Sequence, residues 1–374
     1  MTPFNNIIGQ ETAKKILLRS YDKERLASTY LFYGPDGIGK WPAAIALTAL
    51  ANCSEPIKNS NGKTSDACGE CVNCRQILNL TFAEFYPALP LPPHKSESEA
   101  IDLINEFIER KKKEPYGIIS SRRQTTIPIK TARAIKRKAA IKPPPGLTRV
   151  IFFYQMEKML AASADSLLKL IEEPPPNTII ILTARDPDNL LATIQSRSQK
   201  ISFKPIIPER IKEYLKSRYN LSGKQAELLS RLSEGSIGRA VNLIGDDDES
   251  PVRQIAFLIF KALIQKDTPS AVATINDLLN PRNRGETEQV LLYWQSFLAD
   301  IIQIKFGKNA DNIINLDLLA ELKAFAARFI ESNDFSKFVT HFADFNTAFR
   351  RNVHIRPAMT ALVFELRQYL NQSS

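Results

Sequence analysis

Long apolar runs are missing from this chain of 374 residues, in which no stretch approaches the roughly 18 consecutive apolar residues that a membrane-spanning helix needs. The polar opening Met1-Thr2-Pro3-Phe4-Asn5-Asn6 also lacks the basic, apolar and small-residue succession of a secretory signal. Both absences point to a cytoplasmic protein without a membrane partner. No histidine accompanies the paired carboxylates Glu172 and Glu173, so they read as a helix end before Pro174-Pro175-Pro176 rather than as a general acid–base pair. A hydrophobic share of 44% excludes a disordered or fibrous chain, and the length allows roughly two or three domains.

Cysteine is scarce too, with 4 residues that all fall between positions 53 and 74. Cys68, Cys71 and Cys74 repeat at a three-residue spacing, and Cys53 can complete a tetrahedron of thiolates. Four protein ligands leave no open position for a catalytic water, so Zn²⁺ here would be structural. Disulfides are the competing explanation, disfavoured by the expected reducing compartment and the tight spacing. The polar loop from Ser54 to Asp66 has little core of its own, so the metal would supply much of its folding energy.

One hydroxyl is absent where it matters most. Gly34-Pro35-Asp36-Gly37-Ile38-Gly39-Lys40-Trp41 follows the phosphate-loop pattern in Gly34, Gly39 and Lys40, and Gly37 adds a further glycine. In that pattern backbone N–H groups close on phosphates, the lysine reaches the outer ones and a final Ser or Thr ligates Mg²⁺. Trp41 stands at that last position, and an indole has no oxygen for a hard cation. The apolar run Tyr30-Leu31-Phe32-Tyr33 before the loop and the Ala- and Leu-rich stretch from Trp41 to Ala51 after it predict strand, loop and helix, with Pro42 tolerated in the first helical turn.

Two further strands are predicted at 149–154 and 178–183, separated by a helical stretch through Leu170. Continuous apolar strands alternating with helices argue for an α/β fold with a parallel sheet covered on both faces. From Pro208 onward only helical periodicity is found: a small unit to about Gly245, then amphipathic helices from Pro251 to Leu370. Between Ile101 and Val150, 13 Lys and Arg face 4 Asp and Glu, a concentration that suits nucleic-acid phosphates or a solvated insertion equally well. Within it a helix is expected from about Lys130 to Ala140, with Ala132, Ile135 and Ala139 on one stripe. The polar segment from His94 to Thr126 reads as an insertion, and its Lys111-Lys112-Lys113 and Arg122-Arg123 runs read as solvated loop.

Taken in order, Ile8-Gly9-Gln10, Tyr30-Leu31-Phe32 with its phosphate loop, the four-cysteine module, Leu167-Leu168-Lys169 through Glu172-Glu173-Pro174-Pro175, and Ser196-Arg197-Ser198 resemble the clamp-loader branch of the AAA+ proteins. The motifs span roughly the first 240 residues. The resemblance implies an AAA+ parallel-sheet domain over 1–205 carrying a zinc module at 53–74. A helical lid would follow at 206–246, and an all-α collar for oligomerisation at 250–374. The family's second nucleotide motif ends a strand in Asp-Glu, but placing Met156-Glu157-Lys158-Met159 on the family's Ala-Glu-Arg-Leu puts Tyr154 and Gln155 at those positions. Loss of the hydroxyl and both carboxylates removes the means of holding metal and polarising water. ATP or ADP would then be held by Gly34, Gly37, Gly39 and Lys40 without hydrolysis, or not held at all; sequence leaves both open. Glu157 reads as a surface helix residue rather than a displaced catalytic acid.

Ser196-Arg197-Ser198 is similar to the family's Ser-Arg-Cys motif, with Ser198 replacing cysteine. The resemblance implies that Arg197 reaches into the ATP site of a neighbouring subunit as an arginine finger. It also implies that Thr183 and Arg239 correspond to a γ-phosphate sensor and a lid arginine, and that Lys130, Arg133, Lys136 and Arg137 track the phosphates of primed template DNA. The expected function is that of a non-catalytic subunit of the bacterial DNA polymerase III clamp loader. Its partners would be the other loader subunits, with the sliding clamp reached through the complex. The alternatives are an active ATPase with unorthodox metal ligands, or a zinc-containing DNA-binding protein on a dead ATPase fold.

Overall fold

The computed structural model describes residues 3–119, 125–159, 161–244, 251–265, 267–279, 284–306, 313–328, 332–349 and 354–371. The chain forms two compact units, Met1–Gly223 with Ser233–Asn242, and Lys224–Leu232 with Leu243–Ser374.

In chain order the first unit runs α1 (Glu11–Asp22), β1 (Thr29–Tyr33), α2 (Lys40–Ala51), β2 (Ile57–Lys58), β3 (Thr64–Asp66), α3 (Val72–Leu78), β4 (Phe85–Ala88), α4 (Glu97–Lys113) and α5 (Ile129–Ala139). It continues through β5 (Arg149–Phe153), α6 (Ala161–Glu172), β6 (Thr178–Ala184), α7 (Ala192–Arg197), β7 (Gln199–Ser202) and α8 (Pro208–Tyr219). Then come α9 (Gly223–Leu232), most of which clusters with the second unit, and α10 (Ile237–Asn242), which returns to the first.

Five strands form one parallel sheet in the order β4-β5-β6-β1-β7. All positions of β5 and β6 are buried, as are the first four of β1. Side chains alternate between faces along a strand, so burial at every position means that both faces are covered, as their unbroken apolar character requires. The inner strand β1 runs straight into the glycine-rich loop, which places that loop at the carboxyl edge of the sheet, where ligands of open α/β folds sit.

The edge strands are absent from the sequence-based expectation. β4 contains Pro87, which an edge strand tolerates because one side of its backbone needs no partner. β7 is polar, with only Ile201 buried.

The segment from His94 to Thr126, read as a polar insertion with its basic runs in solvated loop, holds regular structure between β4 and α5. It contains α4, a 17-residue helix capped by Ser96, whose hydroxyl accepts from the Glu99 amide at 3.1 Å, while Glu99 reaches back to the Lys95 amide at 2.7 Å. The helix places acidic residues in its first turn and basic ones in its last, matching its dipole. The polarity that made the segment look like loop is the solvent side of this helix, and Phe107 and Lys111 are its buried residues. Arg122 and Arg123 lie outside the described residues.

The second unit is all helical, adding α11 (Pro251–Ile264), α12 (Thr268–Leu278), α13 (Arg284–Phe306), α14 (Leu319–Arg328), α15 (Ser332–Phe349) and α16 (Ile355–Asn371). Its core is aromatic: Phe260 packs against Trp294, Phe297 and Phe325 at ring separations of 5.7, 5.4 and 6.0 Å. The buried Trp294 indole donates to the Ala256 carbonyl at 2.8 Å. Asp300, fully buried, accepts from the amides of Ile314 and Asn315 at 2.7 and 2.8 Å, so its charge is held by local donors.

Candidate functional site

The glycine-rich loop folds as its sequence demands. Gly34, Gly37 and Gly39 have φ of 138°, 73° and 113°, backbone conformations that side chains resist. A Cβ on Gly34 would lie 2.2 Å from the Phe203 carbonyl oxygen, and one on Gly37 would lie 2.7 Å from the Gly238 Cα. Lys40 opens α2 and is almost wholly buried. Its amine turns back onto its own loop, donating to the carbonyls of Gly34 and of Pro35, the latter at 2.7 Å.

The charge beside Lys40 is a carboxylate of the loop itself. Asp36, buried, lies 3.7 Å from the Lys40 amine and 2.5 Å from the Arg185 guanidinium, and Gln155 adds a side-chain hydrogen bond. Burial alone would raise the Asp36 carboxyl, but Lys40 and Arg185 hold it below the usual carboxylate range. Burial likewise lowers Lys40, with Asp36 and Glu157 opposing.

Trp41 sits where a metal-ligating hydroxyl would be, in a cluster of rings: Phe107 at 5.7 Å, Phe152 at 5.2 Å and Tyr154 at 5.6 Å. Lys111 enters this cluster from α4. Its amine lies 5.2 Å from the Trp41 ring, 5.9 Å from Phe107 and 5.0 Å from Tyr154, and donates to the carbonyls of Gly117 at 2.7 Å and Pro115 at 3.4 Å. Reading Lys111 as part of a solvated run is therefore corrected, since it is 3% exposed. A lysine can be buried this way only when ring faces and carbonyls replace water around its charge.

Glu157 also departs from its reading as a surface residue. It lies in a 3₁₀ turn after β5, half-buried, with one oxygen accepting from the Arg185 amide at 3.2 Å. Its other oxygen is buried without a hydrogen-bond partner, and burial raises its carboxyl. The strand ends one residue earlier than expected, so the turn carries Glu157 back over the loop instead of out to solvent.

Thr183 is fully buried in β6, its hydroxyl accepting from the Gln155 amide at 2.8 Å. Arg239, on α10, pairs with Glu234. Arg197 ends α7, partly exposed, 3.1 Å from Glu172. That ion pair makes Glu172 a holder of the arginine as well as a helix end, which its sequence position did not reveal. Lys130, Arg133, Lys136 and Arg137 are exposed along α5, while Ala132, Ile135 and Ala139 face the core.

The four cysteine sulfurs lie within 4.8 Å of one another, with Cys53 3.4 Å and Cys74 3.8 Å from Cys68. Four sulfurs about 2.3 Å from a tetrahedral zinc ion would stand about 3.8 Å apart, whereas a disulfide needs about 2.05 Å. The amides of Cys68, Cys71 and Cys74 point at the sulfurs of Cys53, Cys68 and Cys71 at 3.2, 3.3 and 3.5 Å. These donors suit thiolates, and the arrangement fits a metal ion better than a pair of disulfides.

Fold and loop together define an α/β protein with a glycine-rich loop of the phosphate-binding pattern at the carboxyl edge of a parallel sheet, its lysine buried and Trp41 packed among rings beside it. Residues 9–207, over half of the chain, match a family model described as DNA polymerase III, delta subunit, and the chain belongs to that family. It is 25% identical to the DNA polymerase III subunit delta' of Bacillus subtilis over 96% of each chain, in keeping with the resemblance of its motifs to the delta-prime subunit of the bacterial clamp loader. It is 26% identical to the tau subunit of Escherichia coli, covering 80% of this chain and 42% of that one. A DNA polymerase III gamma-subunit-related protein of Thermotoga maritima overlays 97% of this chain and 100% of its own, with a TM-score of 0.43 and 14% identity.

Lys111 gives the site a pH signature. Burial pushes its amine down to about 7, whereas an unfolded lysine keeps its proton to about 10.4. Between those values the unfolded chain binds more protons, so folding becomes more favourable as pH rises; the cost of burying this group is full below about 7 and fades toward about 10.4. Wild type should gain stability relative to Lys111→Met between pH 7 and 9 in chemical denaturation. Parallel pH profiles for the two would contradict this placement of the amine.

Proposed function

We propose that this chain is a non-catalytic, delta-prime-like subunit of the bacterial replicative clamp loader, supporting ATP-driven loading of the sliding clamp onto primed DNA. Its own cleft does not hydrolyse ATP, and Arg197 acts in the active site of a neighbouring subunit. The observation that carries this reading is the cluster of Trp41, Tyr154 and the Lys111 amine where metal-binding oxygens are required. An amine packed between aromatic faces fills that space and offers a hard cation no oxygen ligand.

Arg197 supports the second half. Its guanidinium is partly exposed, and Glu172 holds it at the end of α7 rather than burying it. A planar, permanently charged group presented at a surface suits delivery to transferring phosphates next door.

The competing reading, an active ATPase, has one observation in its favour: the unpartnered Glu157 oxygen could polarise a water. Without a metal to neutralise the phosphates, a lone carboxylate adds negative charge where negative charge must be relieved, and so opposes the reaction.

The remaining assignments follow the same reading. The stretch at 206–246 serves as a lid and 250–374 as a collar joining partner subunits. Zn²⁺ on Cys53, Cys68, Cys71 and Cys74 fixes the module after α2. Lys130, Arg133, Lys136 and Arg137 meet DNA phosphates without reading bases, since α5 presents them as an exposed row. Thr183 and Arg239 are remnants, because their polar groups already bond within the protein. The work is done in the cytoplasm.

Replacing Arg197 with alanine in a reconstituted loader should lower clamp- and DNA-stimulated ATP turnover by about 10³-fold or more, without disturbing assembly. Turnover at the wild-type rate would refute the arginine's role. Metal analysis should find about one zinc ion per chain, and chelation should lower the melting temperature. A metal-free preparation of unchanged stability would remove zinc from the account.

A further inference from the structure

The stretch from Phe107 to Ile118 touches the phosphate loop, the residues before α1, the start of α2 and the start of α10. Lys111 lies against Trp41 and Tyr154 as described. Beyond it, the Tyr116 ring stands 3.4 Å from where a Cβ on Gly39 would lie, beside Ile7 and Gln10. Its hydroxyl accepts from the Ile8 amide at 2.6 Å and donates to the Asn6 carbonyl at 3.1 Å. One backbone donor and one backbone acceptor, meeting the edge of a flat ring, form the pattern by which proteins hold the edge of a nucleobase. The Tyr116 carbonyl oxygen lies 2.4 Å, and Ile118 Cγ1 2.8 Å, from where a Cβ on Gly238 would stand. The Gly238 amide in turn donates to the Gly37 carbonyl at 3.0 Å.

We infer that this segment is a tethered occupant of the nucleotide cleft. Within the segment the Tyr116 ring takes the place of a base and the Lys111 amine that of the metal, while the loop's own Asp36 carboxylate stands beside Lys40 where phosphate oxygens would. The inference rests on reading Gly34 to Lys40 as a phosphate loop, and it says what fills the cleft rather than merely that catalysis is absent.

The segment is clamped from outside as well. Glu114 accepts from the hydroxyls of Tyr214 and Tyr219 on α8, at 2.8 and 2.5 Å, and the Arg218 guanidinium donates to the Lys113 carbonyl. Tyr116 and Tyr214 meet edge to face at 5.4 Å. The loop, the N-terminal residues around Ile8 and the helix α10 all meet at this segment. Here one continuous piece of chain bridges them, with the buried Lys111 amine at the end of α4 against Trp41 and the buried Tyr116 ring, three residues past the helix, against Gly39.

Hydrogen exchange on the full chain tests this directly. Tyr116→Ala with Lys111→Ala should raise exchange by about tenfold or more in the amides of Gly37 to Lys40 as well as in the segment, leaving β6 unchanged. Faster exchange confined to the segment would overturn the inference. If the double variant does not fold, Tyr116→Phe removes only the hydroxyl's two bonds, and it should show the same coupled change to a smaller extent; no change at the loop again refutes it. Titration of wild type with a fluorescent ATP analogue, with and without Mg²⁺, should give no saturable signal. Saturable binding abolished by Lys40→Ala would overturn the tethered occupant, while a non-catalytic role would survive it if the bound nucleotide were not turned over.

Discussion

A hard divalent cation is held by oxygens, and the residues at this loop surround the corresponding space with rings. Trp41, at the position where the phosphate-loop pattern has a hydroxyl, and Tyr154, just past the end of β5, do more than leave out oxygens. Together with Phe107 the two rings enclose a space that the Lys111 amine occupies, and burial there weakens its hold on the proton even though the ring faces and carbonyls offset part of the lost water. Lys111 fills it, 5.0 Å from Tyr154 and 5.2 Å from Trp41. Each cation–ring contact contributes on the order of 0.5–2 kcal/mol, and two carbonyls complete the replacement of water. The segment that carries Lys111 also brings the Tyr116 ring against Gly39 and the Tyr116 carbonyl against Gly238, which bonds to Gly37.

The charges inside the cleft balance without a ligand. Lys40, whose amine would otherwise seek phosphate, is satisfied by Asp36 and two loop carbonyls, and Asp36 is shared with Arg185. Glu157 adds one more negative group at half burial, its carboxyl raised by desolvation. Outside the cleft the arrangement is opposite: Arg197 is held at one side by Glu172 and stays partly exposed. A subunit whose cations are neutralised inward and one of whose arginines is presented outward is suited to serve a neighbour's chemistry rather than its own. Membership of the DNA polymerase III delta-subunit family and end-to-end similarity to a delta' subunit fit that division of labour.

The sheet's three inner strands were legible because burial on both faces leaves an unbroken apolar run, and the loop was legible because only glycine tolerates its backbone angles. The edge strands β4 and β7 were not, since a half-exposed strand carrying Pro87, or reading Gln-Lys-Ile-Ser, has no pattern of its own. The cysteine cluster could be read because ligand spacing is local. Lys111 could not: in sequence it is the second member of Arg110-Lys111-Lys112-Lys113, and nothing local separates the one buried amine from its solvated neighbours. Only Phe107, one turn earlier on the same face of α4, hinted at it. Glu157 was misplaced because a single residue's difference in where β5 ends decides whether its carboxylate faces water or the loop.

Steady-state hydrolysis of Mg²⁺-ATP by the purified full chain bears most directly on all of this. The aromatic box and its lysine predict no turnover above background, and the same trace for Lys40→Ala as for wild type. Turnover that depends on Mg²⁺ and disappears in Lys40→Ala would mean that the cleft holds a metal after all, and the account would be wrong at its centre.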